Sequence, residues 1–332
     1  MAFDGAFLHK TVTELQTAEN TFVDKIYQPS KDELVFLLRK SGFCKKLLIN
    51  VRPGAARIQF TETKYENPAV PPMFCMLIRK YLSSARLLKV SQPGFERIAE
   101  LTFSYTNEMG DIAEIRLAAE FIGNKTNIVL INENDKIIDA LRHSDPESGG
   151  RMILPGAAYT YPERRHKLDP LTTDTKAIIE AAEKSGGELS SALLNTVDGF
   201  SPLLCREAAY KAELLGRHSS ALEKIISDLK GSGTPLLLIK SDGTPQDFSF
   251  TDISQYGSLF EKKVQLLDEF YSARDTADRM KHAAGDILKL VNNLKTRTEK
   301  KLALRLQELK SCENREQLRI YGELLKARLY KG

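Results

Sequence analysis

A heptad pattern in the last 70 residues constrains the fold of this 332-residue chain more than any other feature. From Leu266 to Leu294, apolar or small residues recur at alternating intervals of four and three, and no proline follows Pro245. The pattern predicts one long helix with an apolar seam, which a lone helix cannot bury. We expect the seam to pack against a returning helix of a longer protein or to drive coiled-coil self-association. The seam comprises Leu266, Phe270, Ala273, Ala277, Met280, Ala284, Ile287, Val291 and Leu294, continued less regularly by Leu302, Leu306 and Leu309.

The first 165 residues have the pattern of a β-rich domain. Short apolar runs such as TFVDKIYQ, ELVFLLRK, KLLINV and ARIQF are separated by turn signals such as QPSKDE and VRPGA. The segment 73–82 follows three prolines and is apolar almost all round, so it predicts a buried helix. In EIRLAAEFI (114–122), apolar residues alternate with Glu114, Arg116, Ala118 and Glu120. This alternation predicts a β-meander over residues 86–141 with one face in water.

Residues 166–231 predict a helical domain. Helix-like stretches surround the turn Gly199-Phe200-Ser201, which is the outline of a helix-hairpin-helix. Many such hairpins hold a phosphate on backbone N–H groups, since helix N-termini attract anions. An ordinary pair of packed helices fits the pattern as well. Residues 232–260 then predict a small β segment with a turn at Asp242-Gly243. Residues 261–332 are predicted to form the first half of a coiled-coil arm.

No constellation of catalytic residues emerges from the sequence. The four cysteines lie far apart, the five histidines are scattered, and no phosphate-loop, dinucleotide, zinc-protease or nucleophile-elbow motif is found. We therefore expect no metal, no cofactor and no enzyme. Cys75 and Cys205 lie in apolar runs and should pack as small hydrophobic residues. No secretory leader and no apolar stretch of about 18 residues are recognised, which predicts a cytoplasmic protein without membrane contact.

Charge is distributed unevenly along the chain. Residues 261–332 carry 17 Lys and Arg against 11 Asp and Glu, whereas the rest of the chain is nearly neutral. A basic arm suggests a polyanionic partner, although a solvated helix face explains it equally well. The acid–base pair Glu96-Arg97 follows a Pro-Gly turn at the start of a predicted strand. By itself the pair is either an ion pair at a sheet edge or part of a nucleic-acid site.

Six stretches, in order, resemble the NFACT family, whose bacterial members are called fibronectin-binding protein A or RqcH. They are FDG (3–5), YENPAVPPMFCMLIRKYL (65–82), GFERI (94–98), AEFIGNKTNIVLI (119–131), LPG (154–156) and DGFSPLLCREA (198–208). The resemblance covers essentially the whole chain. It implies an α+β protein: a mixed β-rich N-terminal domain similar to that of the formamidopyrimidine-DNA glycosylases, a helix-hairpin-helix domain and a long coiled-coil helix. The glycosylases begin with a catalytic Pro-Glu, and Ala2-Phe3 stand here, so base excision is not expected.

The resemblance also implies a function in ribosome-associated quality control. Such a protein binds large ribosomal subunits (rRNA) obstructed by peptidyl-tRNA and recruits tRNA, chiefly alanyl-tRNA, so that the stalled chain receives a C-terminal tail. Two other functions remain open: a fibronectin-binding surface adhesin, which the missing leader and disulfides disfavour, and a DNA-repair enzyme by analogy of fold.

Residue by residue, the resemblance implies two RNA contacts. The family's Asp-Arg signature falls on Glu96-Arg97, where the acid is one methylene longer. The remaining tRNA-binding candidates are Asp4, Arg79, Lys80, Glu120, Gly123, Lys125 and Asn127. The rRNA-binding candidates on the coiled coil are Lys295, Arg297, Lys300 and Lys301. Structural alternatives exist for each group: a helix cap for Asp4, a plain β-turn for 123–127, and solvated helix positions for the lysines and arginines.

Overall fold

The computed structural model describes residues 3–145, 151–163, 166–233, 235–240, 245–255, 258–261 and 266–330. The chain divides into two compact units, Met1–Tyr271 and Ser272–Gly332. The four-part subdivision predicted from the sequence is finer than this division and stays a prediction.

A nine-stranded antiparallel sheet forms the centre of the first unit, with the order β4-β3-β2-β1-β5-β6-β7-β8-β9. The predicted runs become consecutive hairpins, and the meander over residues 86–141 is confirmed as β5 to β9. The strands are β1 Phe22–Ser30, β2 Glu33–Lys40, β3 Phe43–Asn50, β4 Arg57–Thr61, β5 Arg86–Ser91, β6 Ile98–Thr106, β7 Ile112–Glu120, β8 Asn127–Asn132 and β9 Ile137–Ala140.

The sheet consists of two halves that meet at one narrow joint. Strands β1 and β5 are paired only at Phe22 opposite Arg86, whereas β6 and β7 pair from Ile98–Glu120 to Thr106–Ile112. Helices α1 (Gly5–Leu15) and α2 (Met73–Leu82) pack against the sheet. The prediction of α2 is confirmed in its bounds, but not in its burial.

Helix α2 buries one face and leaves the other in water. Phe74, Cys75, Ile78 and Leu82 are buried, as i, i+4 spacing on a sheet-packed helix requires. Met73 is 82% exposed and Met76 53% exposed. The expectation of a helix buried all round was therefore wrong, because a helix lying on one sheet is covered from one side only. Both Cys75 and Cys205 are buried, as predicted.

The face of β7 that was predicted to lie in water is exposed at Glu114 but covered in its carboxyl-terminal half. Ala118 is 0% and Glu120 1% exposed, because residues 151–161 cross this face and form a second apolar cluster on it. Ile153 and Tyr159 are the members of that cluster contributed by the crossing segment. The alternation of polar and apolar residues predicted the strand correctly. It could not show that a distant segment would cover the second face.

Between residues 166 and 261, the described part of the first unit contains four α-helices and a small sheet. The helices are α3 Thr175–Ser185, α4 Leu189–Thr196, α5 Pro202–Leu215 and α6 His218–Ser227. The sheet has the order β11-β10-β12, formed by β10 Leu236–Ile239, β11 Pro245–Ser249 and β12 Ser258–Glu261. The third strand was not predicted, and the turn at Asp242-Gly243 lies outside the described residues.

The C-terminal segment contains two helices rather than the single one predicted, namely α7 (Leu266–Cys312) and α8 (Arg315–Leu329). Helix α7 begins in the first unit, where the Asp268 carboxylate accepts hydrogen bonds from the side chains of Gln59 and Thr61. The break falls at Asn314, which occupies the N-cap position of α8 without a side-chain capping hydrogen bond; asparagine has low helix propensity. Along the second unit the seam residues whose side chains are described, from Met280 to Leu309, are exposed. None of the described helices is long and apolar enough to cross a bilayer.

Candidate functional site

Three segments that are far apart in the sequence meet on one side of the first unit. They are residues 4–6 at the start of α1, residues 92–97 before β6, and residues 198–202 before α5. The Ala6 N–H donates to the Gly199 carbonyl at 3.0 Å. The Gln92 side-chain amide donates to the carbonyls of Gly5 (2.9 Å) and Glu96 (2.8 Å). The three segments surround an open cleft of about 400 Å³, termed here the three-loop cleft.

Two glycines allow the segments to come this close. A Cβ atom on Gly5 would lie 2.0 Å from the Phe95 carbonyl oxygen and 2.8 Å from the Gly199 Cα. Gly199 has φ +74°, and a Cβ there would lie 2.6 Å from the Phe95 Cβ. Residues with a side chain rarely adopt the left-handed backbone conformation of Gly199. A side chain at Gly5 or Gly199 would also overlap the neighbouring segment at Phe95. The FDG and DGFSP motifs therefore contain glycine for one shared structural reason.

Asp4 ties two of the segments together. Its Oδ1 accepts from the Phe7 N–H at 2.7 Å, which caps α1, and its Oδ2 accepts from the Ser201 N–H at 3.2 Å. Burial raises the pKa of Asp4 to about 6, against hydrogen bonds from these backbone amides that lower it. The capping alternative is therefore confirmed, and the same carboxylate also anchors the turn before α5.

Glu96 and Arg97 lie in the turn immediately before β6 and line the cleft half-buried. The Arg97 carbonyl accepts from the Phe121 N–H at 2.8 Å, which holds this turn against the end of β7. Burial lowers the pKa of Arg97, and the negative charges of Asp4 and Glu96 oppose the shift. The arginine thus remains a cation between two carboxylates in a partly dry site.

The amino end of α5 contributes a second positive element to the cleft. Ser201 is the N-cap and Pro202 the first residue of this 14-residue helix, and both line the cleft. Pro202 has no N–H and the Ser201 N–H already donates to Asp4, so the positive charge that this end offers is that of the helix dipole. The cleft therefore combines a guanidinium and a helix N-terminus with carboxylate acceptors. This set suits a phosphate together with the polar edge of a base or ribose.

Glu120 does not belong to this cleft. Its side chain is buried and accepts two hydrogen bonds from the Arg151 guanidinium (2.7 and 2.5 Å) and one from the Tyr159 hydroxyl (2.8 Å). Burial, and then the Glu120 charge, raises the pKa of Tyr159 well above its ordinary value. The side chain therefore holds residues 151–161 on the sheet. Arg151 and Tyr159 were missed because no local sequence pattern links them to Glu120, which lies 31 and 39 positions earlier.

Gly123 and Lys125 occupy the turn after β7, next to the cleft residue Ile122, and Asn127 begins β8. Gly123 has φ +55° and the Lys125 side chain is exposed. The Asn127 side chain faces inwards, where its Nδ2 donates to the Arg142 carbonyl at 2.7 Å and its Oδ1 accepts from the Arg142 N–H at 2.9 Å. Asn127 therefore fastens the chain after β9.

The other candidates lie elsewhere. The Arg79 guanidinium donates to the Ile26 carbonyl at 2.8 and 2.6 Å, which joins α2 to β1. Lys80 is exposed and pairs with Glu108 at 2.8 Å. The second unit carries the four rRNA-binding candidates, all of them exposed: Lys295, Arg297, Lys300 and Lys301. Among the residues that the structure describes, no three His, Cys, Asp or Glu side chains are grouped in a way that could hold a metal ion.

Comparison with protein families matches residues 4–332 to the NFACT N-terminal and middle domains. The "Rqc2 homolog RqcH" of Bacillus subtilis is 31% identical over 99% of this chain and 59% of that protein. The human "Ribosome quality control complex subunit NEMF" is 28% identical over 55% of this chain and 16% of its own length. The chain thus spans about three fifths of the bacterial relative.

Several solved structures resemble this one. The "fibrinogen binding protein from Staphylococcus aureus" superimposes with a TM-score of 0.73 and 29% identity over 82% of this chain and 99% of that one. The N-terminal part of the "fibronectin/fibrinogen-binding protein from Streptococcus suis" gives a TM-score of 0.71 and 27% identity over 82% of this chain and 99% of that one.

Proposed function

The chain belongs to the NFACT family, and from that premise we propose that it is the RNA-binding portion of a ribosome-associated quality-control factor. The relatives named RqcH and NEMF support this assignment. In this proposal the protein holds a large ribosomal subunit obstructed by peptidyl-tRNA and recruits tRNA, chiefly alanyl-tRNA, for C-terminal tailing of the stalled chain. The ribosome performs the peptide transfer, so the protein acts in the cytoplasm as a positioning factor rather than as an enzyme.

The convergence of Asp4, Glu96, Arg97 and the amino end of α5 on one cleft is the observation that carries the tRNA assignment. A nucleic acid offers phosphates for the guanidinium and the helix N-terminus, and base amino groups for the Glu96 carboxylate. RNA-binding proteins read unpaired bases by such placed polar groups. Lys125, exposed on the neighbouring turn, adds a cation for the backbone of the same RNA.

Three residues assigned to tRNA binding by resemblance act indirectly in this proposal. Glu120 holds residues 151–161 on the sheet, and Asn127 fastens the chain after β9. Arg79 joins α2 to β1. Substitutions at these positions would alter tRNA binding by disturbing the fold of the first unit rather than by removing a contact to RNA.

We assign ribosome binding to the exposed basic face of the second unit. Lys295, Arg297, Lys300 and Lys301 lie within two helical turns of α7, so several of them can approach one stretch of rRNA backbone. The exposed seam of this helix fits a returning coiled-coil helix in a longer protein. The helices α4 and α5 are proposed as the helix-hairpin-helix, and the sheet as a relative of the glycosylase N-terminal domain.

Sequencing the RNA that copurifies with the full-length protein from cells tests the assignment. Arg97→Ala should lose the enriched tRNA and retain large-subunit rRNA, because the two contacts lie in different units. Arg39→Ala, an exposed arginine on β2 with the same charge change, is the matched control. Glu96→Asp keeps the carboxylate and should retain tRNA. Normal tRNA recovery with Arg97→Ala would contradict the assigned role of the pair.

Adhesion is the second candidate, because the two superimposed proteins are named for binding fibrinogen or fibronectin. Binding of the 332-residue chain to immobilised fibronectin, measured against a matched surface without fibronectin, tests it. Saturable binding to fibronectin would favour adhesion, and signals equal to those of the blank surface would exclude it.

A further inference from the structure

A second cleft, of about 360 Å³, lies at the end of β6 opposite to the three-loop cleft. Its lining includes Tyr81, Ser83, Ser84, Arg86, Tyr105 and Thr106, and we term it the serine–tyrosine cleft. Arg97 directly precedes β6 and Thr106 ends it, so the two clefts are roughly 30 Å apart along the strand, at about 3.3 Å per residue. We propose that the serine–tyrosine cleft binds an unpaired RNA nucleotide, as a contact separate from the three-loop cleft.

The aromatic side chains of the cleft provide a stacking surface. The rings of Tyr81 and Tyr105 meet edge to face with centroids 5.7 Å apart, and both are half-exposed. Phe22, at the joint between the two halves of the sheet, is 52% exposed beside them. Bases stack on exposed aromatic rings regardless of sequence, so unpaired nucleotides are the ligands that such a surface favours.

Two cations flank these rings. The Lys80 Nζ lies 5.7 Å from the Tyr81 ring centroid, and its partner Glu108 is an exposed side chain, so this ion pair exchanges readily with a phosphate. Arg86 donates one hydrogen bond, to the Asn20 Oδ1 at 2.7 Å, and its guanidinium has further donors. The lining contains Lys80 and Arg86 and no Asp or Glu among the described residues.

Hydroxyl groups complete the polar surface. The side chains of Ser83, Ser84, Ser104 and Thr106 line the cleft, and none of them makes a hydrogen bond to the described part of the chain. A hydroxyl both donates and accepts, so it can bind a base edge, a phosphate or a ribose 2′-OH.

Two residues at this cleft have backbone conformations that are unusual for residues other than glycine. Ser84 (φ +64°) and Asn20 (φ +65°) are two of the three non-glycine residues with positive φ in the described chain. The Ser84 N–H donates to the Val23 carbonyl at 3.0 Å, and Asn20 positions Arg86. Strained residues of this kind persist where the surrounding structure holds them, and they cluster at ligand sites.

The charge of the lining favours RNA over a protein partner. The lining contains two cations and no carboxylate, which complements a phosphate. Residues 1–260 as a whole are nearly neutral, so this positive charge is local to the cleft. A protein partner would use the exposed apolar residues nearby, such as Ile112, without requiring the cations. The charge-removal variant below therefore separates the two cases.

Fluorescence anisotropy with a labelled ten-nucleotide uridine RNA and the 332-residue chain tests the proposal. Lys80→Ala/Arg86→Ala should weaken binding at least fivefold relative to Lys176→Ala/Lys184→Ala, which removes two exposed charges from α3. Tyr81→Ala should weaken it by about tenfold, whereas Tyr81→Phe keeps the ring and should bind normally. Arg97→Ala should leave this contact intact, so failure here and failure of the proposed function are distinguishable.

Photocrosslinking with the same RNA carrying 4-thiouridine locates the contact. Crosslinked peptides containing Tyr81 or Tyr105 would support the proposal. Equal affinity of the two double variants, or crosslinks confined to residues 266–329, would overturn it. Crosslinking of these tyrosines in ribosomal complexes to a protein and not to RNA would also overturn it, in favour of a protein-docking surface. Circular dichroism verifies that each variant is folded.

Discussion

Replacing Gly5 with alanine tests whether the three segments of the cleft meet as closely as the structure shows. The added Cβ would lie 2.0 Å from the Phe95 carbonyl oxygen, where ordinary contacts begin near 3.4 Å. One of the two segments must therefore move by about 1.4 Å. Both obstacles, the Phe95 oxygen and the Gly199 Cα, are backbone atoms, so no side-chain rotation relieves the clash.

The expected loss in the free energy of unfolding follows from three contributions. Overpacking of this kind costs ~1–3 kcal/mol. Separation of the segments also weakens the Ala6–Gly199 hydrogen bond, a contribution of about 1 kcal/mol. The better helix propensity of alanine offsets up to about 1 kcal/mol. We therefore expect Gly5→Ala to lower the free energy of unfolding by roughly 2 kcal/mol, and to reduce tRNA recovery at temperatures where the protein remains folded.

Urea unfolding followed by near-ultraviolet circular dichroism measures this change, because the tyrosine and phenylalanine signal reports tertiary packing in a chain without tryptophan. Gly42→Ala is the matched control: no atom lies within 4 Å of its added Cβ, and the left-handed φ of +72° alone should cost ~1 kcal/mol. If Gly5→Ala were no more destabilising than Gly42→Ala, the close approach of the three segments would be refuted.

Two further predictions concern buried carboxylates. Burial raises the pKa of Asp4 to about 6 from 3.8, so its contribution to stability is largest below about pH 4 and falls as the pH rises through 6. The free energy of unfolding of Asp4→Asn, relative to that of the wild type, should therefore rise by on the order of 3 kcal/mol between pH 4 and pH 7, as measured by urea titrations. A difference that does not change with pH would contradict the raised pKa of Asp4. Glu120→Gln leaves the half-buried Arg151 cation without its counter-charge and should cost ~2–3 kcal/mol, with faster proteolysis within residues 151–161. Glu114→Gln, at an exposed position of the same strand, is its control, and equal stability of the two variants would argue against the clamp.

The elements of this fold were largely predictable because their signals are local. Alternation identified β7, proline placement identified the start of α2, and the sustained heptad identified the C-terminal helical segment. The break at Asn314 was missed, because heptad spacing indicates which residues face the seam but not where the helix ends and a new one begins. The third strand of the small sheet was missed as well.

The sequence alone determined the family, the order of the elements and the identity of the short motifs, because each of these is written in contiguous residues. Only the tertiary structure decided which motifs belong together. It brought FDG, GFERI and DGFSP to one cleft. It also showed that Glu120, which was predicted to face water, is buried and paired with Arg151. The physical reason is that burial and charge pairing depend on contacts between distant segments. A carboxylate on an alternating strand has the same local pattern whether water or a crossing segment covers it.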